Sequence, residues 1–213
     1  PYVKKQMHRK IISSPVVADF MDLLVKNRKD PRKDKSAWDQ TGALLYTGGT
    51  TGTSKGVMLT HANLSCNVQQ FAAWFPDLGP GEDRLVGNFP FFHSAGFTAI
   101  QNYAIWMANE VILVPRPEPK INIELIRKYK PTFLPGVPTI FVGLLAEENF
   151  RKMDLSSIKG FFSGAAPLAA DTIRDLKQLT GADMCEVYGS TENSPIVTAT
   201  PWGGQIRPGT VGC

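Results

Sequence analysis

A length of 213 residues, with 43% apolar and 20% charged residues, is typical of a folded globular protein and excludes a disordered or fibrous chain. The three cysteines, Cys66, Cys185 and Cys213, show no pairing pattern, which argues against a disulfide framework or a cysteine metal site and predicts a reducing compartment. No signal peptide opens the sequence and no apolar run approaches the roughly 18 residues of a membrane span, so we expect a cytoplasmic location.

The net charge of +4 is concentrated near the start of the sequence. Residues 1–36 hold ten lysines and arginines against four aspartates, a charge of +6 that leaves −2 for the remainder. Such a segment binds nucleic acid, lies on an anionic membrane surface, or is a solvated face. No aromatic residue interrupts the run from Arg28 to Lys35, so it has no platform for base stacking. We favour the solvated face, expect no nucleic-acid partner, and leave weak peripheral membrane contact open.

The first 40 residues predict one short helix. Phe20, Leu23 and Leu24 recur at helical spacing within residues 16–25, and a polar, basic linker follows up to Asp39. We therefore divide the chain into a basic N-terminal segment, 1–40, and a core, 41–213.

Residues 43–56 carry the most distinctive pattern of the core. The apolar run Ala43-Leu44-Leu45-Tyr46 predicts the end of a buried strand, and a stretch rich in glycine and hydroxyl groups follows, reading Thr47-Gly48-Gly49-Thr50-Thr51-Gly52-Thr53-Ser54-Lys55-Gly56. So many glycines cost too much backbone entropy for the interior of a strand or helix. They suit a loop whose N–H groups and hydroxyls converge on an anion, with Lys55 adding a positive charge. The natural ligand of such a loop is a di- or triphosphate.

Two other interpretations of this loop are weaker. The P-loop of nucleoside triphosphatases needs a lysine followed by serine or threonine, whereas Lys55 follows Ser54 and precedes Gly56. A flexible linker would not usually lie between two apolar runs and carry a single lysine.

Downstream, predicted helices and strands alternate. Thr60, Asn122 and Pro138 mark three helix starts, and Gly181 marks one helix end. Helices are expected over residues 63–74, 97–107, 122–129, 138–148 and 169–179. Strands are expected over residues 84–89, 110–114, 132–134, 158–162 and 184–188. Because these strands are apolar throughout, they predict an α/β fold with a parallel or mixed sheet covered by helices on both faces.

Ligands of such sheets bind outside the carboxyl ends of the strands. Three loops at these ends carry unusual residues. Residues 88–97 place His93 among aromatic residues, and residues 163–168 are small enough for a flat base to approach the backbone. Residues 186–192 combine Tyr188 with Thr191 and Glu192, whose carboxylate suits Mg²⁺. Taken singly, these loops are also explained by a structural histidine, a strand-to-helix turn and a chance polar loop.

Taken in order, these segments resemble the motifs of the AMP-forming adenylating enzymes, the family of acyl-CoA synthetases, luciferases and peptide-synthetase adenylation domains. Residues 46–56 resemble the phosphate loop, and Gly48, where most members have serine or threonine, is most like the long-chain fatty-acyl-CoA ligases. Residues 163–168 and 188–192 resemble Gly-Gly-Ala-Pro-Leu and Tyr-Gly-x-Thr-Glu, and 204–212 resembles the segment that follows. The matches extend over about four-fifths of the chain. Ser54, in place of the usual proline, departs from the pattern.

The resemblance implies a reaction. A carboxylate attacks the α-phosphorus of ATP to give an acyl-adenylate and pyrophosphate, and coenzyme A then accepts the acyl group. Catalytic roles fall to His93, Lys55, Thr191 and Glu192, and Thr47 and Glu192 lie toward Mg²⁺. Tyr188 stacks on adenine. The implied nucleotide contacts are Thr47, Gly48, Gly49, Thr50, Thr51, Gly52, Thr53, Lys55, Gly164, Ala165, Ala166, Glu186, Val187, Tyr188, Gly189 and Thr191.

The resemblance also bears on substrate and completeness. Residues 90–93 offer no carboxylate for the ammonium group of an amino acid, while Phe91, Phe92 and Phe97 offer apolar surface, so a fatty acid, long-chain first, or an aryl acid is favoured. The family's C-terminal domain and usual N-terminal portion have no counterpart. We therefore expect the central part of a ligase's N-terminal domain, inactive or weakly active alone. The alternatives are a nucleotide-binding module or pseudoenzyme without thioester formation, and a surface-binding protein acting through residues 1–36.

Overall fold

The computed structural model describes residues 25, 35–48, 53–207 and 209–213. The chain divides into two units, Pro1–Ser36 and Ala37–Cys213. The helix predicted over residues 16–25 lies outside the described residues except for Val25, which is helical. The second unit holds the fold.

A two-stranded antiparallel hairpin opens the second unit. Strands β1, Thr41–Thr47, and β2, Lys55–Thr60, pair so that Leu44 faces Met58 and Thr47 faces Lys55. Residues 43–46 form a strand, as predicted. The prediction that this strand is buried was wrong, because Leu44 is 56% and Tyr46 74% exposed. Apolar side chains alternate between the two faces of a strand, and only one face of this hairpin is half-buried.

Helix α1, His61–Trp74, follows the hairpin directly and confirms the predicted cap. Thr60 Oγ1 accepts a hydrogen bond from Asn63 N at 3.1 Å, and Asn63 Oδ1 accepts one from Thr60 N at 3.0 Å. This reciprocal pair satisfies two N–H groups that a helix start leaves without partners. The helix buries Asn67, Val68 and Phe71.

Six strands form the main sheet in the order β4-β3-β5-β6-β7-β8. Neighbours from β4 to β7 are parallel, and β8 pairs antiparallel with β7, so the predicted α/β fold with a parallel or mixed sheet is confirmed. Strand β8 was not predicted. The strands are β3 Arg84–Gly87, β4 Glu110–Leu113, β5 Phe133–Gly136, β6 Gly160–Ser163, β7 Asp183–Gly189 and β8 Ile196–Ala199.

The remaining helices connect and cover these strands. The helix predicted over residues 97–107 instead begins at Ser94 and has a π-helical middle. The helices are α2 Ser94–Gly96, a π-helix Phe97–Asn102, α3 Tyr103–Trp106, α4 Pro119–Tyr129, α5 Pro138–Ala146, α6 Glu148–Arg151 and α7 Ala170–Thr180. None of the helices in the described part is long and apolar enough to cross a bilayer.

The proposed cap at Asn122 was wrong. Helix α4 begins at Pro119, with Glu118 in the N-cap position, because proline at a first helical position lacks only an N–H that would have no partner there. Asn122 lies fully buried inside the helix. Its amide donates to Glu118 O at 3.0 Å and accepts from Asn88 Nδ2 at 2.9 Å, which joins α4 to the end of β3.

Two hydrophobic clusters lie on the two faces of the sheet. Phe133 and Phe162 belong to the cluster that includes residues of α1 and the π-helix, whereas Leu134 and Phe161 belong to the cluster that includes residues of α4, α5 and α7. Successive residues of one strand thus enter opposite clusters, which explains why the strand sequences are apolar throughout.

We expect Thr60→Ala to reduce the free energy of unfolding by about 1 kcal/mol, because the N-cap acceptor of α1 is lost. Urea unfolding followed by circular dichroism measures the change. Thr139→Ala, at an exposed position near the start of α5, is the matched control and should change stability by less than about 0.5 kcal/mol. Equal stabilities of the two variants would contradict the assigned cap.

Candidate functional site

The ends of three parallel strands meet at one edge of the sheet. Gly136 at the end of β5 pairs with Ser163, and Ser163 at the end of β6 pairs with Glu186 in β7. The loop after β6 therefore lies beside the last part of β7. Together with the loop after β3 and the hairpin, they enclose a cavity of about 570 Å³, here called the site cavity.

The hairpin contributes one wall of the site cavity. Thr47, Gly48 and Lys55 line it, and Thr47 Oγ1 donates to Lys55 O at 3.5 Å across the hairpin. No carboxylate of the described residues forms an ion pair with Lys55. Thr53 is exposed and does not line the cavity. The predicted contacts Gly49, Thr50, Thr51 and Gly52 lie outside the described residues.

The loop after β3 presents His93 to the site cavity. His93 Nδ1 accepts a hydrogen bond from Ala95 N at 3.2 Å, so the neutral imidazole carries its proton on Nε2, which is left to donate. The chain turns so tightly after His93 that a Cβ atom at Gly96 would lie 2.2 Å from Pro90 O. A glycine is required at this position for steric reasons, not for its φ angle.

The third wall comes from β7 and the turn after it. Val187, Tyr188, Gly189, Thr191 and Glu192 line the site cavity, as do the neighbouring Gly164 and Ala165. Thr191 and Glu192 belong to a 3₁₀ turn, Thr191–Asn193, that lies against β2. Lys55 and Glu192 therefore face one cavity, although 136 residues separate them in the sequence. No described residue donates a hydrogen bond to the Glu192 carboxylate.

Two predicted nucleotide contacts lie elsewhere. Ala166 and Glu186 do not line the site cavity but a neighbouring one of about 380 Å³, here called the loop cavity, which shares Ala165, Val187, Tyr188 and Gly189 with it. Glu186 is 6% exposed, and its Oε1 accepts from Leu168 N at 3.1 Å. Burial raises the pKa of this carboxyl, and no described group donates to Oε2. Through the hydrogen bond from Leu168 N, Glu186 holds the backbone of the loop of residues 163–168 to β7.

Several residues of the site were missed by sequence reasoning. Ser94 is buried, and its Oγ lies 3.4 Å from Thr191 Oγ1, joining the loop after β3 to the turn after β7. Phe91, Phe92 and Phe97, which were expected to offer apolar surface to the acid, do not line the site cavity. Its apolar lining comes instead from Phe89, Phe162, Pro195 and Ile196. Among these residues, only Ser94 had a local signal in the sequence, which was its position next to His93.

The donor set fits a magnesium ion bound together with phosphates. The described residues contain no group of three or more histidine, cysteine, aspartate or glutamate side chains able to hold a metal alone. Mg²⁺ usually takes one or two protein oxygens and completes its shell with phosphates and water. The Thr47 hydroxyl and the Glu192 carboxylate supply two such oxygens in the lining of one cavity.

The chain is similar to known proteins in both sequence and structure. A family model described as "AMP-binding enzyme" matches residues 3–213. A long-chain-fatty-acid–CoA ligase of Bacillus subtilis (strain 168) is 42% identical over 192 residues, which cover 90% of this chain and 33% of the relative. ATP-bound MatB from Rhodopseudomonas palustris is similar in structure, with a TM-score of 0.74 and 35% identity over 83% of this chain and 34% of that one.

A third similar protein is a malonyl-CoA ligase solved with methylmalonyl-CoA and AMP bound. Its TM-score is 0.75 at 27% identity, over 85% of this chain and 39% of that one. The present chain spans about a third of the length of the relatives that it matches.

We expect Gly189→Ala to lower the free energy of unfolding by about 1–3 kcal/mol, because the added Cβ would lie 2.0 Å from Pro195 O and must displace backbone. Gly56→Ala is the control, since its Cβ would first meet Tyr46 at an ordinary 3.4 Å. Denaturant unfolding of both variants measures the effect. A Gly189→Ala protein as stable as Gly56→Ala would contradict the close approach.

We expect Glu186→Gln to gain stability relative to the unmodified protein as the pH rises from about 4 to about 7.5. The folded-state pKa of Glu186 lies above its unfolded value, so ionisation costs folding free energy over this window and above it, whereas glutamine has no proton to lose. Denaturant unfolding at both pH values measures the difference. Exposed Glu124→Gln controls for the loss of one charge. A difference that shrinks with rising pH would be the opposite of this expectation.

Proposed function

The chain belongs to the AMP-binding enzyme family, and we propose that it forms the nucleotide-binding core of an AMP-forming acid–CoA ligase. The observation that carries the proposal is that Lys55, Tyr188 and Glu192 line one cavity. A cation for phosphates, an aromatic face for a base and a carboxylate for a metal are thereby available to a single ATP molecule.

We place the triphosphate against the hairpin and the base toward Tyr188. Lys55 supplies the positive charge near the phosphates, together with the Thr47 hydroxyl. Tyr188 is 57% exposed, so its ring face is open to stacking. The loop cavity, which shares Tyr188 and Ala165 with the site cavity, suits a flat base bounded by small residues. Thr191, which also lines the site cavity, would hydrogen-bond the α-phosphate.

In the first step a carboxylate oxygen of the substrate attacks the α-phosphorus of ATP, and the bond to pyrophosphate breaks. Both reactants are anions, so positioning and charge neutralisation supply most of the catalysis. Bound Mg²⁺, held by Thr47 and Glu192, would neutralise phosphate charge. His93, with its proton on Nε2, would donate to the substrate carboxylate and orient it. In the second step the thiol of coenzyme A attacks the acyl carbon, and AMP leaves.

A long-chain fatty acid is the substrate that we favour. Phe89, Phe162, Pro195 and Ile196 give the site cavity an apolar end, and Glu192 is the only carboxylate among its described lining residues. An amino acid would lack a partner for its ammonium group if Glu192 is engaged with the metal. The B. subtilis relative is named for long-chain fatty acids, which supports the same choice.

We expect Lys55→Ala and Glu192→Ala to lower kcat/KM for ATP by about 10²–10³-fold, because each removes a group that stabilises developing phosphate charge. The assay is ATP–pyrophosphate exchange by the complete encoded polypeptide, with palmitate, octanoate, benzoate and acetate as acids. Lys120→Ala and Glu124→Ala, both exposed on α4, are matched controls and should retain activity.

Two results would contradict the proposal. One is exchange activity in Glu192→Ala with unchanged affinity for Mg·ATP, which would remove the metal assignment. The other is the absence of exchange with every acid despite tight ATP binding, which would indicate a nucleotide-binding module. We also expect weak or absent turnover from the 213 residues alone, so robust exchange by them would contradict that expectation.

A further inference from the structure

We infer that Asn67 is a positioning residue, which fixes the Pro195–Ile196 wall of the site cavity from helix α1. This inference rests on the proposed function for its effect on catalysis, but its structural part stands on contacts of the described residues. Asn67 lies in the second turn of α1 and is 5% exposed.

The Asn67 side chain pairs with both backbone groups of Ile196. Its Nδ2 donates to Ile196 O at 2.9 Å, and its Oδ1 accepts from Ile196 N at 3.1 Å. A carboxamide used in this way substitutes for the peptide group of a neighbouring strand. Strand β8 is the last strand of the sheet, so its outward backbone groups have no strand partner in the described part of the chain. From helix α1, Asn67 therefore supplies hydrogen-bond partners for the backbone at the end of β8 that lines the site cavity.

A second cavity lies on the other side of this wall. A cavity of about 550 Å³, here called the helix cavity, lies between α1 and β8 and is lined by Asn67, Val187 and Ile196. Val187 and Ile196 also line the site cavity, so a thin wall separates the two spaces. Without the two amide hydrogen bonds, Ile196 could shift toward the helix cavity, because unfilled space lies on that side.

The position of Ile196 matters to the rest of the site. Pro195, the preceding residue, accepts a hydrogen bond from Ser190 N at 3.0 Å, which closes the segment holding Thr191 and Glu192. Helix α1 begins immediately after β2, the strand that carries Lys55. Asn67 thus links the helix that follows the hairpin to the Pro195–Ile196 wall of the site cavity.

Three variants of the complete encoded polypeptide test this role. Asn67→Leu keeps similar volume and removes both hydrogen bonds. Asn67→Asp keeps the acceptor for Ile196 N and removes the donor to Ile196 O. Gln69→Ala is the matched control, since Gln69 is an exposed amide of the same helix whose described hydrogen bonds go only to Ser65. Hydrogen exchange, read by mass spectrometry on peptides covering residues 194–199, reports the wall directly.

We expect exchange in residues 194–199 to accelerate by about tenfold in Asn67→Leu and in Asn67→Asp, where a carboxylate oxygen would face the acceptor Ile196 O, and not in Gln69→Ala. We expect KM for the carboxylic acid to rise by about tenfold in Asn67→Leu and KM for ATP to rise much less, because Ile196 borders the proposed acid site directly and reaches Thr191 and Glu192 only through Pro195. A residue that only stabilised the fold would lower the melting temperature without this split between the two KM values.

Unchanged exchange in residues 194–199 would overturn the inference, and so would a parallel rise of both KM values. If Asn67→Leu fails to fold, Asn67→Asp carries the same two measurements. If the unmodified protein shows no pyrophosphate exchange with any acid, the proposed function fails, and hydrogen exchange alone then decides whether Asn67 holds Ile196.

Discussion

Parallel pairing of β5, β6 and β7 is the constraint on which the rest of the site depends. Because Ser163 pairs with Glu186, the loop of small residues after β6 begins beside the last residues of β7, which lead into the turn that holds Thr191 and Glu192. A shift of register by one residue would turn every side chain of a strand to the opposite face. The apolar residues Phe161 and Phe162, which enter opposite clusters, oppose such a shift because both would exchange environments.

Side-chain hydrogen bonds then join loops that the sheet only brings near one another. Ser94 meets Thr191, Glu186 holds the backbone of Leu168, and Asn67 holds the backbone of Ile196. Each joins a buried polar side chain to an element distant in sequence, and such groups are costly to bury without partners. The walls of the site are therefore fixed by polar contacts laid over an apolar sheet.

The sequence predicted those features that neighbouring residues determine. The cap at Thr60, the helix start at Pro138 and the helix end at Gly181, whose φ is +75°, all follow from local backbone chemistry and were confirmed. The order of strands and helices followed from hydrophobic patterning. The motif residues Lys55 and Glu192 were singled out by residue type, and their place in one cavity follows from the fold.

The failures share one physical cause, which is dependence on partners far away in the chain. The exposure of Tyr46 depends on which face of the hairpin other elements cover, and the burial of Asn122 on the nearby Asn88. The partner of the Glu186 carboxyl, the backbone N–H of Leu168, is likewise distant in the sequence. Strand β8 has only four residues and is defined by pairing with β7, so its sequence holds no periodic pattern that predicts a strand.

The central claim is that one ATP molecule spans the site cavity from Lys55 to Tyr188, with its metal at Glu192. Crystals of the complete encoded polypeptide grown with Mn²⁺ and a non-hydrolysable ATP analogue test this most directly, because manganese is located by its anomalous scattering. We predict a manganese peak about 2.1 Å from a Glu192 oxygen, with the phosphates beside Lys55 and the base on the Tyr188 ring. Nucleotide density at the opposite edge of the sheet, or a metal that Glu192 does not reach, would contradict the account.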